Sequence, residues 1–411
     1  MNHIYTGLDI GNNEIKIVVV ESYRDDYHVL ASTAVKSKGI KKNTIYDEKK
    51  LKECLHQAIT QTESTLGMKI REVILCVPTG NAMMTMETGL VNIRGEQVTG
   101  KDVEAVLRDA SNGAYDNDRE LVTCLPISFT VDEQPSTQNP LGETGEQLFT
   151  KVVVATSDKQ DVYPFIDLVR SLGINIVDIV YNSQADYYTA MTRELDRKMG
   201  CIINVGADIT TVAIFNKGIM IKNSYIPVGS ASVDKDIAFI YKVDLKTACH
   251  LKETYALTVG RYADDNETME VAGTEQSKVV IRQTEISSVI ESRIAEILKL
   301  AKNEINRLTK REISYIIVVG GISELAGFNY LVEDILGPNA RCLNMQVLGA
   351  RHNKFTSAFG SCKYFDRKCQ QRQWNVSMFS QDELTTFLSP KKKNAVNDAM
   401  INRFFGHFFD N

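Results

Sequence analysis

Two turns of similar composition, about 195 residues apart in this 411-residue chain, carry residues that suit phosphate binding. Asp9-Ile10-Gly11 and Asn204-Val205-Gly206 each follow one β-rich run and lead into another. Glycine lacks a Cβ atom, so backbone N–H groups at such a turn can point inward and bind an anion. A single turn of this kind is more often an ordinary tight hairpin. The matching pair instead predicts two similar lobes that face a shared phosphate.

Polar residues beside both turns could contact the phosphate or a metal ion bound to it. A carboxylate at the end of the first strand, Asp9, can hold the water shell of a metal while the turn holds the anion. The residues predicted to bind the phosphates in this way are Asp9, Gly11, Asn12, Asn13, Asn204, Gly206, Thr210 and Thr211.

A third glycine turn, Gly320-Gly321, follows an apolar run and continues into Ile322. Because neither glycine has a side chain, a flat ring or a sugar can approach the backbone closely there. Tight helix–strand packing would require the same residues. Lys252 and Glu253, on a predicted helix, could supply a charge and a hydrogen-bond acceptor to a ribose. The alternative for this adjacent pair is an ordinary solvated helix surface.

Composition and charge exclude several classes of protein. The net charge of −5 argues against a nucleic-acid-binding protein, whose contact surface should be basic. Eight cysteines form no C-x-x-C pair and several fall inside apolar runs, which predicts buried thiols in a reducing compartment. No signal-peptide pattern and no run of about 18 apolar residues is present. We therefore expect the protein to be made and folded in the cytosol.

The order of the predicted elements indicates an α/β fold with an insertion. Strands and one helix alternate from residue 4 to residue 77, and a similar hairpin begins at Cys201. Between these halves the pattern changes, and residues 83–162 read as a compact β-α-β-β unit.

These elements and motifs resemble the actin, heat-shock chaperone and sugar-kinase superfamily, and within it the FtsA family of bacterial cell-division proteins. The likeness covers residues 4 to about 365, and the position of the insertion is its most specific part. The motifs that carry it are Gly7-Leu8-Asp9-Ile10-Gly11 followed by Glu21, Asn204 to Thr211, Ile226-Pro227-Val228-Gly229, Gly320-Gly321, and Phe355 to Gly360.

The resemblance implies an actin-like, ribonuclease H-like duplicated fold with two lobes and a small subdomain inserted in the first lobe. The implied division is subdomain 1A at 1–82 and 163–197, inserted subdomain 1C at 83–162, subdomain 2A at 198–228 and 306–365 including a return helix, and subdomain 2B at 229–305.

The resemblance also implies a function. Members of this family bind ATP with Mg²⁺ in the interdomain cleft and form head-to-tail polymers at the cytoplasmic face of the bacterial membrane, at the division site. They recruit the tubulin-like protein FtsZ, whose contact is implied at about 229–305, and other divisome proteins. An adaptor of this kind is at most a weak ATPase.

Several positions depart from the family pattern. Asn204 replaces a carboxylate that would hold magnesium-bound water, and Asp208 puts a negative charge near the phosphates. Glu14 stands where the family has a basic residue, and Lys16, on the same strand face, is expected to substitute for it. Asn182 replaces the water-activating glutamate and cannot act as a base. We therefore expect reduced affinity for ATP and little hydrolysis, with Gln184 as a weak candidate for orienting water.

The carboxyl-terminal residues predict a separate membrane-binding element. Residues 366–396 are expected to form a flexible linker. Residues 397–411 are predicted to form an amphipathic helix that lies in the membrane interface, with nearby lysines attracted to anionic lipid at about 1 kcal/mol each. The alternative is that its apolar stripe packs on the protein itself or on a partner. The residues assigned to the membrane are Met400, Ile401, Arg403, Phe404, Phe405, Phe408 and Phe409.

Together these features favour a polymerising membrane scaffold that tethers FtsZ filaments. A pilus-assembly platform of the same fold is the first alternative, although a terminal amphipathic helix argues against it. A small-molecule kinase is the second, and it would need a carboxylate base in the cleft.

Overall fold

A computed structural model of the chain describes residues 3–24, 26–274 and 278–379. Its framework is a pair of five-stranded mixed sheets, one in each lobe. In the first sheet the strand order is β10-β6-β1-β2-β3, where β1 to β3 form an antiparallel meander and β6 pairs in parallel with β1. The first elements along the chain are β1 (His3–Ile10), β2 (Glu14–Tyr23), β3 (Asp26–Lys36), the short β4 (Ile40–Lys41) and β5 (Thr44–Ile45), α1 (Glu48–Leu66) and β6 (Glu72–Val77).

The insertion is a β-α-β-β unit, as predicted. Its three-stranded antiparallel sheet has the order β7-β9-β8, and one helix packs on it around a separate hydrophobic core that includes Val106 and Phe129. The helix begins at a capping box in which the Asp102 carboxylate accepts hydrogen bonds from the backbone and side chain of Thr99. Its elements are β7 (Met83–Asn92), α2 (Gly100–Ser111), β8 (Arg119–Val131) and β9 (Gln147–Asp158).

The first lobe is completed after the insertion. A helix and a strand return the chain to the first sheet, and a second helix then leads toward the second lobe. That second helix ends at Ala190. The elements are α3 (Lys159–Arg170), β10 (Asn175–Tyr181) and α4 (Asn182–Ala190).

The second lobe repeats the topology of the first. Its sheet has the order β13-β12-β11-β16-β17, with β11 antiparallel to β12 and parallel to β16, which confirms the predicted duplication. Two further strands, β14 and β15, form a separate antiparallel hairpin. The elements are β11 (Met199–Val205), β12 (Thr210–Asn216), β13 (Ile219–Ile226), α5 (Ala231–Tyr241), α6 (Leu245–Thr254), β14 (Thr268–Ala272), β15 (Lys278–Arg282), α7 (Gln283–Leu308), β16 (Tyr315–Val319), α8 (Phe328–Leu336) and β17 (Ala340–Cys342).

The last helix, α9 (Thr356–Arg372), returns to the first lobe and packs on α4. A Cβ atom on Gly360 would lie 1.8 Å from the Ala185 carbonyl oxygen, so only glycine allows the two helices to approach this closely. The helix and the residues after it occupy part of the segment assigned to a flexible linker. Met378 and Phe379 are buried, and the Met378 N–H donates to the Ile4 carbonyl. The prediction of a flexible linker is therefore wrong for residues 366–379, and the rest of the predicted linker lies outside the described residues.

Three other predictions concern the carboxyl-terminal helix, the cysteines and membrane-spanning segments. The predicted amphipathic helix at 397–411 lies outside the described residues. All eight cysteines are free thiols; five are buried, whereas Cys124, Cys249 and Cys342 are half-buried. Among the helices that the structure describes, none is both long and apolar enough to cross a bilayer.

Candidate functional site

A cleft of about 540 Å³ lies between the two lobes, within the range typical of small-molecule sites. Both phosphate-type turns and the Gly320-Gly321 turn open into it, as the sequence predicted. The cleft is lined by all the predicted ligand-binding residues except Thr210: Asp9, Gly11, Asn12, Asn13, Lys16, Asn204, Gly206, Thr211, Lys252, Glu253, Gly320, Gly321 and Ile322.

The first turn places one carboxylate in a small polar network. The Gly11 N–H donates to the Glu14 carbonyl at 3.0 Å, which closes the turn between β1 and β2. Lys16 Nζ lies 2.7 Å from Asp9 Oδ2, and Asn182 Nδ2 donates to Asp9 Oδ1 at 2.9 Å. Lys16 thus lies in the cleft, where it was expected to replace the missing basic residue. Both oxygens of Asp9 have partners, so a metal ion would have to compete with an ammonium group for this carboxylate.

The second turn is held by the start of α5. The Gly206 and Ala207 carbonyls accept hydrogen bonds from Ser230 N at 2.8 Å and Ala231 N at 2.9 Å. A Cβ atom on Gly229 would lie 2.4 Å from the Gly206 carbonyl oxygen, so a glycine is required at this crossing. Backbone contacts with the start of α5 therefore fix the turn.

The structure does not place Thr210 in the cleft. Its side chain is fully buried, and its hydroxyl donates to the Val228 carbonyl at 2.8 Å. Successive side chains on a strand point to opposite faces, so the neighbouring Thr211 faces the cleft instead. The sequence identified both threonines as candidates, but it did not indicate which face of the strand each side chain occupies.

A buried acid that the sequence analysis missed lies behind the second turn. Asp186 on α4 is inaccessible to solvent and accepts hydrogen bonds from Ser357 Oγ at 2.6 Å and from Asn204 Nδ2 at 2.7 Å. Burial raises the pKa of Asp186 to about 7, although these two hydrogen bonds oppose the rise. Asn204 is therefore a donor to this acid. A carboxylate at position 204 would instead place a second negative charge against it.

The opposite end of the cleft carries the Gly320-Gly321 turn and a buried ion pair. Gly320 has φ of +106°, a left-handed conformation that favours glycine. Lys252 Nζ lies 2.8 Å from Asp234 Oδ1, and both side chains are largely buried, so Lys252 is not an ordinary solvated residue. Burial raises the pKa of Asp234, and the nearby Lys252 opposes this shift. The sequence alone did not indicate Asp234, because its partner Lys252 lies on a different helix.

The residues near the phosphate turns offer little for hydrolysis. Asn182 lies in the cleft as an amide, which cannot act as a general base. Gln184 is fully buried and does not line the cleft, so its predicted role in orienting water is wrong. Within the described part of the chain, no group of three His, Cys, Asp or Glu side chains could hold a metal ion. Mg²⁺ at this site would depend on phosphate oxygens and water, with Asp9 as the protein contact.

Solved structures with the same architecture define the class of protein. "PilM-PilN type IV pilus biogenesis complex" has a TM-score of 0.57 at 16% identity, and the match covers 87% of this chain and 96% of that chain. "Crystal structure of MreB 5 of Spiroplasma citri bound to AMPPNP" has a TM-score of 0.55 at 14% identity, covering 90% and 98%. At these identities the likeness concerns the fold alone. The two duplicated lobes around a cleft give this chain an actin-like fold.

Sequence comparisons then give the family. The family model described as "Cell division protein FtsA" matches residues 201–360, and the model described as "SHS2 domain inserted in FTSA" matches residues 81–156. Together the two models span more than half of the chain. "Cell division protein FtsA" of Bacillus subtilis (strain 168) is 26% identical over 376 residues, which are 90% of this chain and 85% of that protein. The chain belongs to the FtsA family, and its relatives support a role in cell division.

Proposed function

We propose that this protein is a cell-division scaffold that binds ATP between its lobes and tethers FtsZ filaments to the membrane. The main support for nucleotide binding is that both phosphate-type turns and the Gly320-Gly321 turn line one cleft. Lys16 and Lys252 provide cations near its two ends. A fold neighbour, MreB 5 of Spiroplasma citri, is described as bound to AMPPNP, which supports a nucleotide in the corresponding cleft.

Hydrolysis is slow or absent in this proposal. Asn182 replaces a base, and Asn204 donates its amide to Asp186 rather than offering a carboxylate to magnesium-bound water. Mg²⁺ bound with ATP would neutralise phosphate charge next to Asp9, while Lys16 attracts the phosphates from the first turn. Bound ATP then acts by holding the lobes in one arrangement that favours head-to-tail self-association.

Membrane attachment in this proposal depends on residues 397–411. Six apolar side chains at about 1.5–3 kcal/mol each give at most about 9–18 kcal/mol. Ordering about 12 residues costs on the order of 12 kcal/mol of backbone entropy, so a single tail binds weakly. Several tails on one polymer share a high effective concentration and bind firmly. Self-association and attachment to anionic lipid at the division site therefore reinforce each other, and subdomain 2B at 229–305 recruits FtsZ.

The two alternatives are not favoured. A pilus-assembly platform shares the fold, but the inserted domain matches the FtsA-specific model at residues 81–156. A small-molecule kinase needs a free carboxylate base beside the phosphates, whereas Asp9 is paired with Lys16 and Asn182.

Co-sedimentation with anionic liposomes tests this proposal. The full chain and a variant lacking residues 397–411 are each mixed with liposomes and FtsZ, with and without ATP. The full chain should carry FtsZ into the lipid pellet, and ATP should increase the amount. The truncated chain should leave both proteins in the supernatant, and neutral liposomes serve as the control. Equal sedimentation of the full and truncated chains would refute the membrane tether.

A further inference from the structure

The short hairpin formed by β4 and β5 projects from the first lobe beside the cleft. Its two connecting residues, Lys42 and Asn43, both have positive φ, at 48° and 61°, as in a type I′ turn. The base of the hairpin is fixed, because Ile40 is buried and the Gly39 carbonyl accepts hydrogen bonds from Tyr46 N and Asp47 N. The hairpin therefore belongs to the first lobe, and its tip is the part that can form contacts elsewhere.

The tip contacts both phosphate-type turns through its backbone. Asn43 N donates to Asn12 Oδ1 at 2.8 Å, and Asn12 Nδ2 donates back to Asn43 Oδ1 at 2.9 Å. Lys42 N donates to Asp208 Oδ2 at 3.2 Å. Asn12 belongs to the first turn, whereas Asp208 belongs to the second turn in the other lobe. The tip thus bridges the two lobes at the cleft.

We propose that the hairpin tip is a latch across the phosphate end of the cleft and that Asp208 is the positioning residue that closes it. The latch regulates the nucleotide site and so rests on the proposed ATP binding for its role. The sequence suggested only that Asp208 would repel phosphate. The structure gives this carboxylate a donor on the opposite lobe.

An anionic ligand and the closed latch compete for one group. Phosphates between the turns would attract the side-chain amide of Asn12, which donates to Asn43 when the tip is closed. Repulsion between the phosphates and the exposed Asp208 carboxylate is a separate effect, which acts whether the tip is open or closed. Ligand entry therefore favours an open tip, and the apparent affinity is the affinity of the open form multiplied by the fraction of molecules that are open.

The strength of the latch is moderate. A hydrogen bond to a charged acceptor shifts an equilibrium by about 10- to 100-fold. Because the contact is exposed, we expect the lower end of that range. Loss of the Asp208 acceptor should thus raise the open fraction about tenfold.

Hydrogen exchange of the full chain measures the latch without any ligand. In Asp208→Ala the backbone amide of Lys42 should exchange about tenfold faster than in the unaltered protein, and trypsin should cleave faster after Lys42. Asp208→Asn keeps an acceptor oxygen and should retain most of the protection. Asp264→Ala is the matched control, because it removes an exposed carboxylate that accepts a backbone N–H away from the cleft. Unchanged exchange at Lys42 in Asp208→Ala would overturn the latch.

ATP titration of the same proteins tests coupling to the cleft. ATP should accelerate exchange at Lys42 in the unaltered protein, and affinity should increase in the order unaltered, Asp208→Asn, Asp208→Ala. If Asp208→Asn and Asp208→Ala bind ATP equally tightly, only the loss of the negative charge affects ATP binding. That result would contradict coupling between the latch and the cleft. If ATP binds none of the three proteins while Asp208→Ala still opens the hairpin, the latch stands and the proposed nucleotide binding fails.

Discussion

At the scale of single residues, the second phosphate-type turn is tied to a buried acid by an internal hydrogen bond. Asn204 donates to the buried Asp186, which also accepts from Ser357. Asp186 thus links the second turn to α4 and α9. An amide at position 204 is compatible with this buried acid, whereas a carboxylate there would face Asp186 directly.

Asp186 should make stability depend on pH. Its pKa is about 7 in the folded protein and about 4 in the unfolded chain, so the folded state alone keeps the proton between these values. Stability therefore falls as pH rises from about 4 to 7. Asp186→Asn removes this contribution, so the melting temperature of the variant relative to the unaltered protein should rise over that range. Asp265→Asn, at an exposed position, controls for the loss of one charge. A pH-independent difference between Asp186→Asn and the unaltered protein would contradict the assignment.

Sequence reasoning located most of the candidate site but not its internal partners. Turn composition predicted Asp9, Gly206 and the Gly320-Gly321 turn, because local backbone requirements restrict these positions to a few residue types. It could not predict that Asp234 pairs with Lys252 or that Asp186 meets Asn204, since these pairs form between segments that only the tertiary fold brings together.

At the scale of elements, hydrophobic periodicity predicted almost every helix and strand of the two lobes. It failed at the end of α9, whose buried face is partly polar. Asp366 is buried there and accepts hydrogen bonds from the hydroxyl groups of Tyr5, Ser22 and Tyr27. An acid in a polar stretch gives the pattern of a linker, and only its partners on β1, β2 and β3 show that it is buried.

The crossing of α4 and α9 depends on one glycine. Gly360→Ala should lower the free energy of unfolding by about 1–3 kcal/mol, because the added methyl group would overlap the Ala185 carbonyl oxygen. This should hold although alanine favours an isolated helix by about 1 kcal/mol. Urea denaturation measures the change. Gly95→Ala is the control, since a Cβ atom at Gly95 meets no atom within 4 Å. Similar effects of the two substitutions would argue against a close crossing.

At the scale of the whole molecule, a duplicated fold builds one cleft from two similar turns, and the insertion extends the first lobe. The same architecture serves several kinds of actin-like protein, so the fold alone does not give the function. Family membership supports a role in cell division. The proposed function adds a scaffold that binds nucleotide and hardly hydrolyses it, because Asn182 in the cleft is an amide that cannot act as a general base.

Nucleotide binding and turnover by the same preparation test this account most directly. ATP is titrated calorimetrically into the full chain with and without Mg²⁺, and phosphate release is followed on the same samples, with Lys16→Ala as the comparison. We predict saturable binding with a dissociation constant above about 1 μM, weakened by Lys16→Ala, and phosphate release near background. Turnover of about 1 s⁻¹, within the ordinary range for enzymes, or no binding at millimolar ATP, would contradict the account.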